Sequence, residues 1–250
     1  MDRFAAARTM LKSRFGELFD NPSDHRLGVP QPALELPCPP GATLVELPDP
    51  ALAFPKQVDL FDLLKSRRSR REFSSEPLTL SQLSALLWAT QGVHSIIRDG
   101  FATLRTVPSG GSRHPFETYV AAIDVIGLAA GSYRYVATAH KLLPVGNPPD
   151  LRAGVSRACA GQESASTAPA VFFWSAVPYR SEWRYAVAAH KTIAQDSGHV
   201  CQNLYIACEA LGLGTVAVGA YSQKDADSLL GLDGSEEFVI YAAPVGWRNR

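Results

Sequence analysis

Residues 184–220 read RYAVAAHKTIAQDSGHVCQNLYIACEALGLGTVAVGA. Val187, Ile193, Ala194, Val200, Cys201, Leu204, Tyr205, Cys208 and Leu211 recur at helical spacing, which predicts one long helix over 184–211. Gly212 and Gly214 stop it, because glycine suits a helix C-terminus. Thr215 to Val218 then suits a strand. A helix this long is a scaffold element and a natural seam for a second copy of the chain. No GxGxxG occurs, and strands do not alternate regularly with helices. Helices come first and strands mixed with helices follow, so the pattern predicts an α+β fold rather than a doubly wound one.

Outward from that segment, Asp59 caps a short helix over 59–67. A second helix covers 79–90, with Leu80, Leu83, Leu86 and Leu87 on its buried side. Strands are expected over 116–123 and 168–176, with an antiparallel pair over 131–136 and 141–145 around Thr138-Ala139-His140. Residues 150–159 and the Ser-capped 222–230 read as helices, 238–245 as a last strand, and 246–250 as a basic tail. At the other end, Phe4, Met10, Leu11, Phe15, Leu18 and Phe19 give 2–19 an amphipathic helical pattern. Nine prolines between Pro22 and Pro55 forbid long helices there. Leu34, Leu36, Leu44, Val45, Leu47 and Phe54 are interleaved with them, so 20–58 reads as an extended arm packed along a surface. The expected division is an arm over 1–58 and a domain over 59–250.

Lys+Arg and Asp+Glu are both 24 in a chain of 250 residues, which argues against bulk binding of nucleic acid or an anionic membrane. No stretch has the length of a membrane span, and the first twenty residues lack the apolar core of a signal peptide, so the expected location is cytoplasmic. Cys38, Cys159, Cys201 and Cys208 form no CxxC pair and read as reduced, mostly buried thiols, with no metal site.

Two segments concentrate hydrogen-bond donors. Ser66-Arg67-Arg68-Ser69-Arg70-Arg71-Glu72-Phe73 is either a solvated charged stretch or an anion-binding comb. In an extended backbone Arg67, Ser69 and Arg71 face one way, and that alternation suits a phosphate. Pro108-Ser109-Gly110-Gly111-Ser112-Arg113-His114-Pro115 is either a flexible turn or an ordered loop at a sheet edge. The glycine-bounded Gly212–Tyr221 stretch reads as a helix stop and turn, or as a close approach of backbone to a flat ligand. The six histidines are scattered, and no nucleophile–base motif is present. An enzyme built this way would carry its chemistry on an organic cofactor.

Four blocks in order, Arg67–Phe73 with Pro77–Leu80 and Leu86–Gly92, Arg105–Tyr119, Gly198–Tyr205, and Leu211–Ala220 running into Pro244–Gly246, together resemble the FMN-dependent nitroreductase-like superfamily. The likeness is nearest to its SagB-type, thiazole/oxazole dehydrogenase-like branch. The resemblance implies a mostly antiparallel central sheet flanked by helices and an intertwined homodimer with two FMN sites at the interface. It implies that Arg67, Arg68, Ser69 and Arg71 hold the phosphate and ribityl chain, joined by the basic pair Arg248 and Arg250. Pro108, Ser109, Gly110 and Ser112 would reach the flavin from the partner subunit. Ala217, Val218, Gly219 and Ala220 would lie along the isoalloxazine with a backbone N–H near N5. The implied chemistry passes electrons from NAD(P)H through flavin to a nitroaromatic, quinone or similar small acceptor by a ping-pong cycle. Peptide azoline oxidation and non-catalytic flavin binding are the alternatives. Azoline oxidases carry a Lys-Tyr pair where this chain has Arg184-Tyr185, and arginine is a poor general base. Tyr185 is the candidate acid.

Overall fold

A seven-stranded, wholly antiparallel sheet forms the centre of the computed structural model, which describes residues 3–249. In chain order the elements are α1 (Ala5–Thr9), β1 (Val45–Glu46), α2 (Leu60–Ser66), β2 (Leu78–Thr79), α3 (Leu80–Gln91), β3 (Val93–Ile97) and β4 (Ala102–Arg105). Then come β5 (Phe116–Ala122), β6 (Val125–Ile126), β7 (Gly131–Val136), β8 (Lys141–Gly146), α4 (Leu151–Ala158), α5 (Glu163–Thr167) and β9 (Ala170–Ala176). The chain closes with α6 (Tyr179–Tyr185), α7 (Ala189–Ala210), β10 (Leu213–Thr215), α8 (Gln223–Leu230) and β11 (Phe238–Trp247). The sheet order is β1-β8-β7-β5-β9-β11-β10. The α+β expectation holds.

The sheet is covered on both faces, and β9 shows why its sequence reads as an unbroken apolar run. Phe172 and Trp174 pack with Leu83, Leu86 and Leu204 of α3 and α7. The intervening Val171 and Phe173 pack with Val155 of α4 and Ala226 of α8. Local signals start these helices. In α3 the Thr79 hydroxyl accepts from the Gln82 N–H at 3.2 Å while the Gln82 side chain accepts from the Thr79 N–H at 2.9 Å, a reciprocal cap. Asp59 and Ser222 cap α2 and α8 one way only, each side chain accepting from the N–H three residues on.

The proline-rich arm is part of the fold. β1 pairs with β8 at the sheet edge. Further upstream, arginines take the arm's carbonyls: buried Arg134 donates to Leu36 and Pro37, buried Arg180 to Ala33, and half-buried Arg105 to Leu34. Glu117, buried beneath them, accepts from the Leu36 N–H and pairs with Arg134 and Arg180. A buried carboxylate is tolerable here because both guanidiniums and the Leu36 N–H meet it.

Three expectations are corrected. The long helix over 184–211 is divided: α6 ends at Tyr185, a tight turn covers Ala186–Ala188, and α7 starts at Ala189. The break lies at Ala186, whose φ of 41° leaves the helical region although no glycine or proline marks it. The strand expected at 215–218 is β10, shifted to Leu213–Thr215, after which Val218 makes one isolated bridge with Ala242. The amphipathic helix over 2–19 shrinks to α1 and a short turn at Phe15–Leu18. Of its apolar residues only Leu18 is buried, while Phe4, Met10, Leu11, Phe15 and Phe19 stay exposed. A short amphipathic helix without a surface to bury against gains too little to propagate.

Candidate functional site

The arginine segment leaves α2 in an extended conformation and runs across the end of the sheet. Arg70 donates its N–H to the Thr215 carbonyl at 2.9 Å, Phe73 bridges to Arg248, and Ser74 donates to the Trp247 carbonyl at 2.9 Å. The backbone is thus sewn to β10 and β11, and the side chains divide between two surroundings. Arg67 lies 5.2 Å from the ring centre of Tyr205, and the Ser69 hydroxyl is 3.0 Å from the Tyr205 hydroxyl. The Ala217 N–H donates to that same Tyr205 oxygen at 2.8 Å. Tyr205 therefore ties the arginine segment to the glycine-bounded strand end. In the sequence it reads only as one of the apolar positions of α7, and its OH is the one polar handle that could have singled it out.

Arg68, Ser69, Arg70, Arg71, Glu72, Arg248 and Asn249 line an open cleft of about 410 Å3. Beneath it, buried Glu209 accepts from Arg248 at 2.8 Å and from Arg70 at 3.4 Å. Arg248 also donates to the Gly212 carbonyl. Arg68 folds back onto the carbonyls of Lys65 and Arg67. Among the described residues, Glu209 is the carboxylate that ion-pairs with this cluster, so the cleft keeps a surplus of guanidinium charge. Such a cleft suits an oxyanion with several acceptor oxygens. Arg70 alternates away from Arg67, Ser69 and Arg71 in the sequence, yet its side chain shares Glu209 with Arg248. Arg250 lies outside the described residues.

Of the four positions 217–220, two have spent their amides. Ala217 donates to Tyr205, and Val218 donates to Ala242 at 2.7 Å. Gly219 and Ala220 are exposed, so the free backbone edge lies there.

The Ser109–Ser112 loop sits elsewhere, on the first half of α7. Ser109 donates to Asp196 at 2.6 Å, Gly110 donates to the same oxygen at 3.1 Å, and Ser109 in turn accepts from the His114 N–H. Burial raises the Asp196 pKa, opposed by those two hydrogen bonds. The loop hugs the helix so closely that a Cβ on Gly110 would overlap the Thr192 methyl, and one on Gly111 would meet Tyr185 and Arg184. Gly111 also has φ of 59°, which glycine adopts at no steric cost. His114 is buried, and desolvation followed by the charge of Arg105 lowers its pKa to about 3. That environment keeps it neutral and makes it a structural residue. Pro108, Ser109 and Gly110 line a second cavity of about 470 Å3 with Thr192, Asp196 and His199.

These two regions do not meet within one chain. No hydrogen bond, ion pair or ring contact joins 67–71 to 108–112 among the described residues. Their anchors on α7, Asp196 and Tyr205, are nine residues apart, about 13 Å along the axis.

The chain shares this construction with known proteins. The nitroreductase family model matches residues 64–247. MJ1384 of Methanocaldococcus jannaschii, assigned as a nitroreductase, is 34% identical over 202 residues, 81% of this chain and 95% of that one. The trifolitoxin-processing protein TfxB of Rhizobium leguminosarum bv. trifolii is 31% identical over 151 residues, 56% of this chain and 39% of that one. Among solved structures, a nitroreductase-like protein from Ralstonia eutropha superposes with a TM-score of 0.67 at 28% identity, covering 88% of this chain and 95% of its own. One from Anabaena variabilis gives 0.68 at 27% identity over 84% of this chain, which spans only 42% of that longer protein. The NADPH:FMN oxidoreductase of Vibrio harveyi shares the fold at a TM-score of 0.52 and 18% identity, over 76% of this chain and 69% of its own. The antiparallel sheet, the arginine segment fastened across its end and the match over 64–247 lead to one assignment: the chain belongs to the nitroreductase family.

Proposed function

We propose that the protein is an FMN-dependent oxidoreductase that passes electrons from NAD(P)H to a nitroaromatic, quinone or similar small acceptor in a ping-pong cycle. The observation that carries this reading is the guanidinium-rich cleft of Arg68, Ser69, Arg70, Arg71 and Arg248, whose donors outnumber the one buried carboxylate beneath them. Its donor set fits a phosphate monoester. Arg67, Arg68, Ser69, Arg71 and Arg248, with Arg250, would hold the phosphate and ribityl chain. Glu209 would orient Arg70 and Arg248, and Tyr205 would fix Ser69 and Ala217. Bound FMN would supply reversible two-electron chemistry. Gly219 and Ala220 would offer backbone N–H groups to the ring edge, Pro108, Ser109, Gly110 and Ser112 would close the site from a partner subunit, and Tyr185 is the residue suited to give a proton to the reduced product.

The separation of the two regions along α7 supports a homodimer, since a second chain is needed to bring a loop to the arginine cleft. The surface agrees. Leu60, Phe61 and Leu64 of α2 are more than half exposed, and α2 buries no residue within the chain. Beside α7 lies an apolar cavity of about 400 Å3 lined by Phe54, Trp88 and Ile206 among others. We place the flavin-binding domain at 59–250 and the arm at 1–58.

The relation to TfxB favours a second reading, a SagB-type dehydrogenase acting on peptide azolines. Arg184 in place of lysine weighs against it, because a guanidinium does not give up its proton near neutral pH.

Purified protein should be yellow, dimeric by sedimentation, and should release FMN on denaturation. Anaerobic mixing with NADH and with NADPH should bleach it, and a quinone or nitroaromatic should restore the colour. A colourless protein that cannot be reconstituted with FMN rejects the proposal. Bleaching without turnover on any acceptor leaves a non-catalytic flavin module.

A further inference from the structure

Arg184 is a cation without an anion. No carbonyl, hydroxyl or carboxylate among the described residues accepts a hydrogen bond from it, and its Nε is buried with no partner. It is held by aromatic rings instead, 5.9 Å from the centre of Phe101 and 5.7 Å from that of Tyr185. The groups around it add to its charge. Arg113 lies over Phe101 and Trp183 and spends its own donors on the Gly111 and Phe101 carbonyls. His25 packs edge-on against Trp183 at 4.6 Å. Burial, then Arg184 and Arg113, hold the His25 pKa below its ordinary value, and burial followed by Arg184 does the same to Arg113. The nearby carboxylates are already engaged. Glu182 pairs with His190, Asp24 accepts from Tyr179, and Asp196 holds Ser109 and Gly110.

The surroundings also describe a shape. Arg184 and Tyr185 sit directly against Gly111 of the loop. The ring of Phe15 lies 5.4 Å from that of Tyr185, edge to face. One uncompensated guanidinium among aromatic rings matches a single carboxylate on a planar ring better than a phosphate, which calls for several donors. With its Nε buried and no carboxylate partner, Arg184 leaves the terminal nitrogens of its fork free for a ligand.

We propose that Arg184 is a specificity-determining residue of the electron-acceptor site, and that the preferred acceptors are planar aromatic molecules bearing a carboxylate that pairs with it. This rests on the oxidoreductase reading for the word acceptor, while the binding itself does not need the flavin.

The test is isothermal titration of the full chain, as purified, with 4-nitrobenzoate and with its neutral methyl ester, on the wild type, Arg184→Gln and Arg184→Lys. The wild type should bind the acid at least about tenfold more tightly than the ester, and the preference should weaken with added salt. Arg184→Gln should reduce the preference to less than about twofold, and Arg184→Lys should retain part of it as a compact point charge. Equal binding of acid and ester, no binding of either at millimolar concentration, or an undiminished preference in Arg184→Gln overturns the site. A preference for NADPH over NADH that is lost in Arg184→Gln, without any acid preference, assigns the guanidinium to a nucleotide phosphate and also overturns the carboxylate. A colourless protein that keeps the acid preference rejects the flavin reading alone. A yellow, turning-over protein without the preference rejects this inference alone.

Discussion

The arginine segment and the Ser109–Ser112 loop are both short, polar and rich in donors, yet they use those donors in opposite ways. The loop turns inward. Its hydroxyl and its Gly110 amide both end on Asp196, and its glycines are packed against Thr192, Tyr185 and Arg184. The arginine segment spends its backbone on β10 and β11 and leaves most of its side-chain charge facing a cleft. Equal donor density in sequence therefore conceals two roles, one a rigid wall and the other a charged receptor.

The largest effect should come from breaking the wall. Gly110→Val places a branched side chain where the Thr192 methyl stands, and should lower stability by about 1–3 kcal/mol, read from urea midpoints. The arginine cleft should survive it, so the folded fraction should lose less FMN affinity than a variant of the cleft itself. Breaking the receptor should do the reverse. Arg67→Ala should weaken FMN binding by about 10–100-fold while the urea midpoint stays near wild type. If FMN affinity is unchanged, the receptor assignment fails.

An effect confined to acid pH also separates the regions. His114 ends the loop and has a folded pKa of about 3 against an ordinary 6.5. Its contribution is complete above pH 6.5 and is lost as the pH falls from 6.5 toward 3, because the unfolded chain takes up a proton that the folded chain refuses. One such group steepens the loss by up to about 1.4 kcal/mol per pH unit. His114→Asn, which tolerates the positive φ of 43°, should flatten that slope between pH 4 and 6. An unaltered slope would show that His114 is not what makes the loop acid-sensitive. The smallest change should follow Tyr205→Phe, which removes the oxygen shared by Ser69 and Ala217 and should cost about 1 kcal/mol, seen in stability and in FMN affinity together. A loss in one alone would mean that Tyr205 does not couple the two.

Much of this architecture is visible in the sequence where the signal is local. Thr79 with Gln82, Asp59 and Ser222 announce helix starts because a cap is made within four residues. The apolar run at 168–176 announces a buried strand because both faces of β9 are covered. The hairpin of β3 and β4 leaves no such signal, since Val93-His-Ser-Ile-Ile97 has no period-two alternation and its turn depends on Arg98 and Asp99 at positive φ. The break at Ala186 is equally silent, since its positive φ falls on a residue that no breaker marks. In the site, the charged positions were legible by composition. Tyr205 and Glu209 were not, because on a periodic helix they resemble ordinary core and surface positions until the segment that reaches them is in place.

The clamp on the arm carries a consequence for how the chain comes to be folded. The carbonyls of Ala33 and Leu36 are held by arginines 147 and 98 residues later, and Glu35 accepts from an amide 102 residues away. During synthesis the arm precedes the arginines that hold it, and its acceptors cannot be claimed until Arg134 and Arg180 have emerged. Closing loops of that length is slow. A stretch made early is thus among the last to reach its place, and until then its carbonyls and the buried guanidiniums of Arg134 and Arg180 wait without these partners.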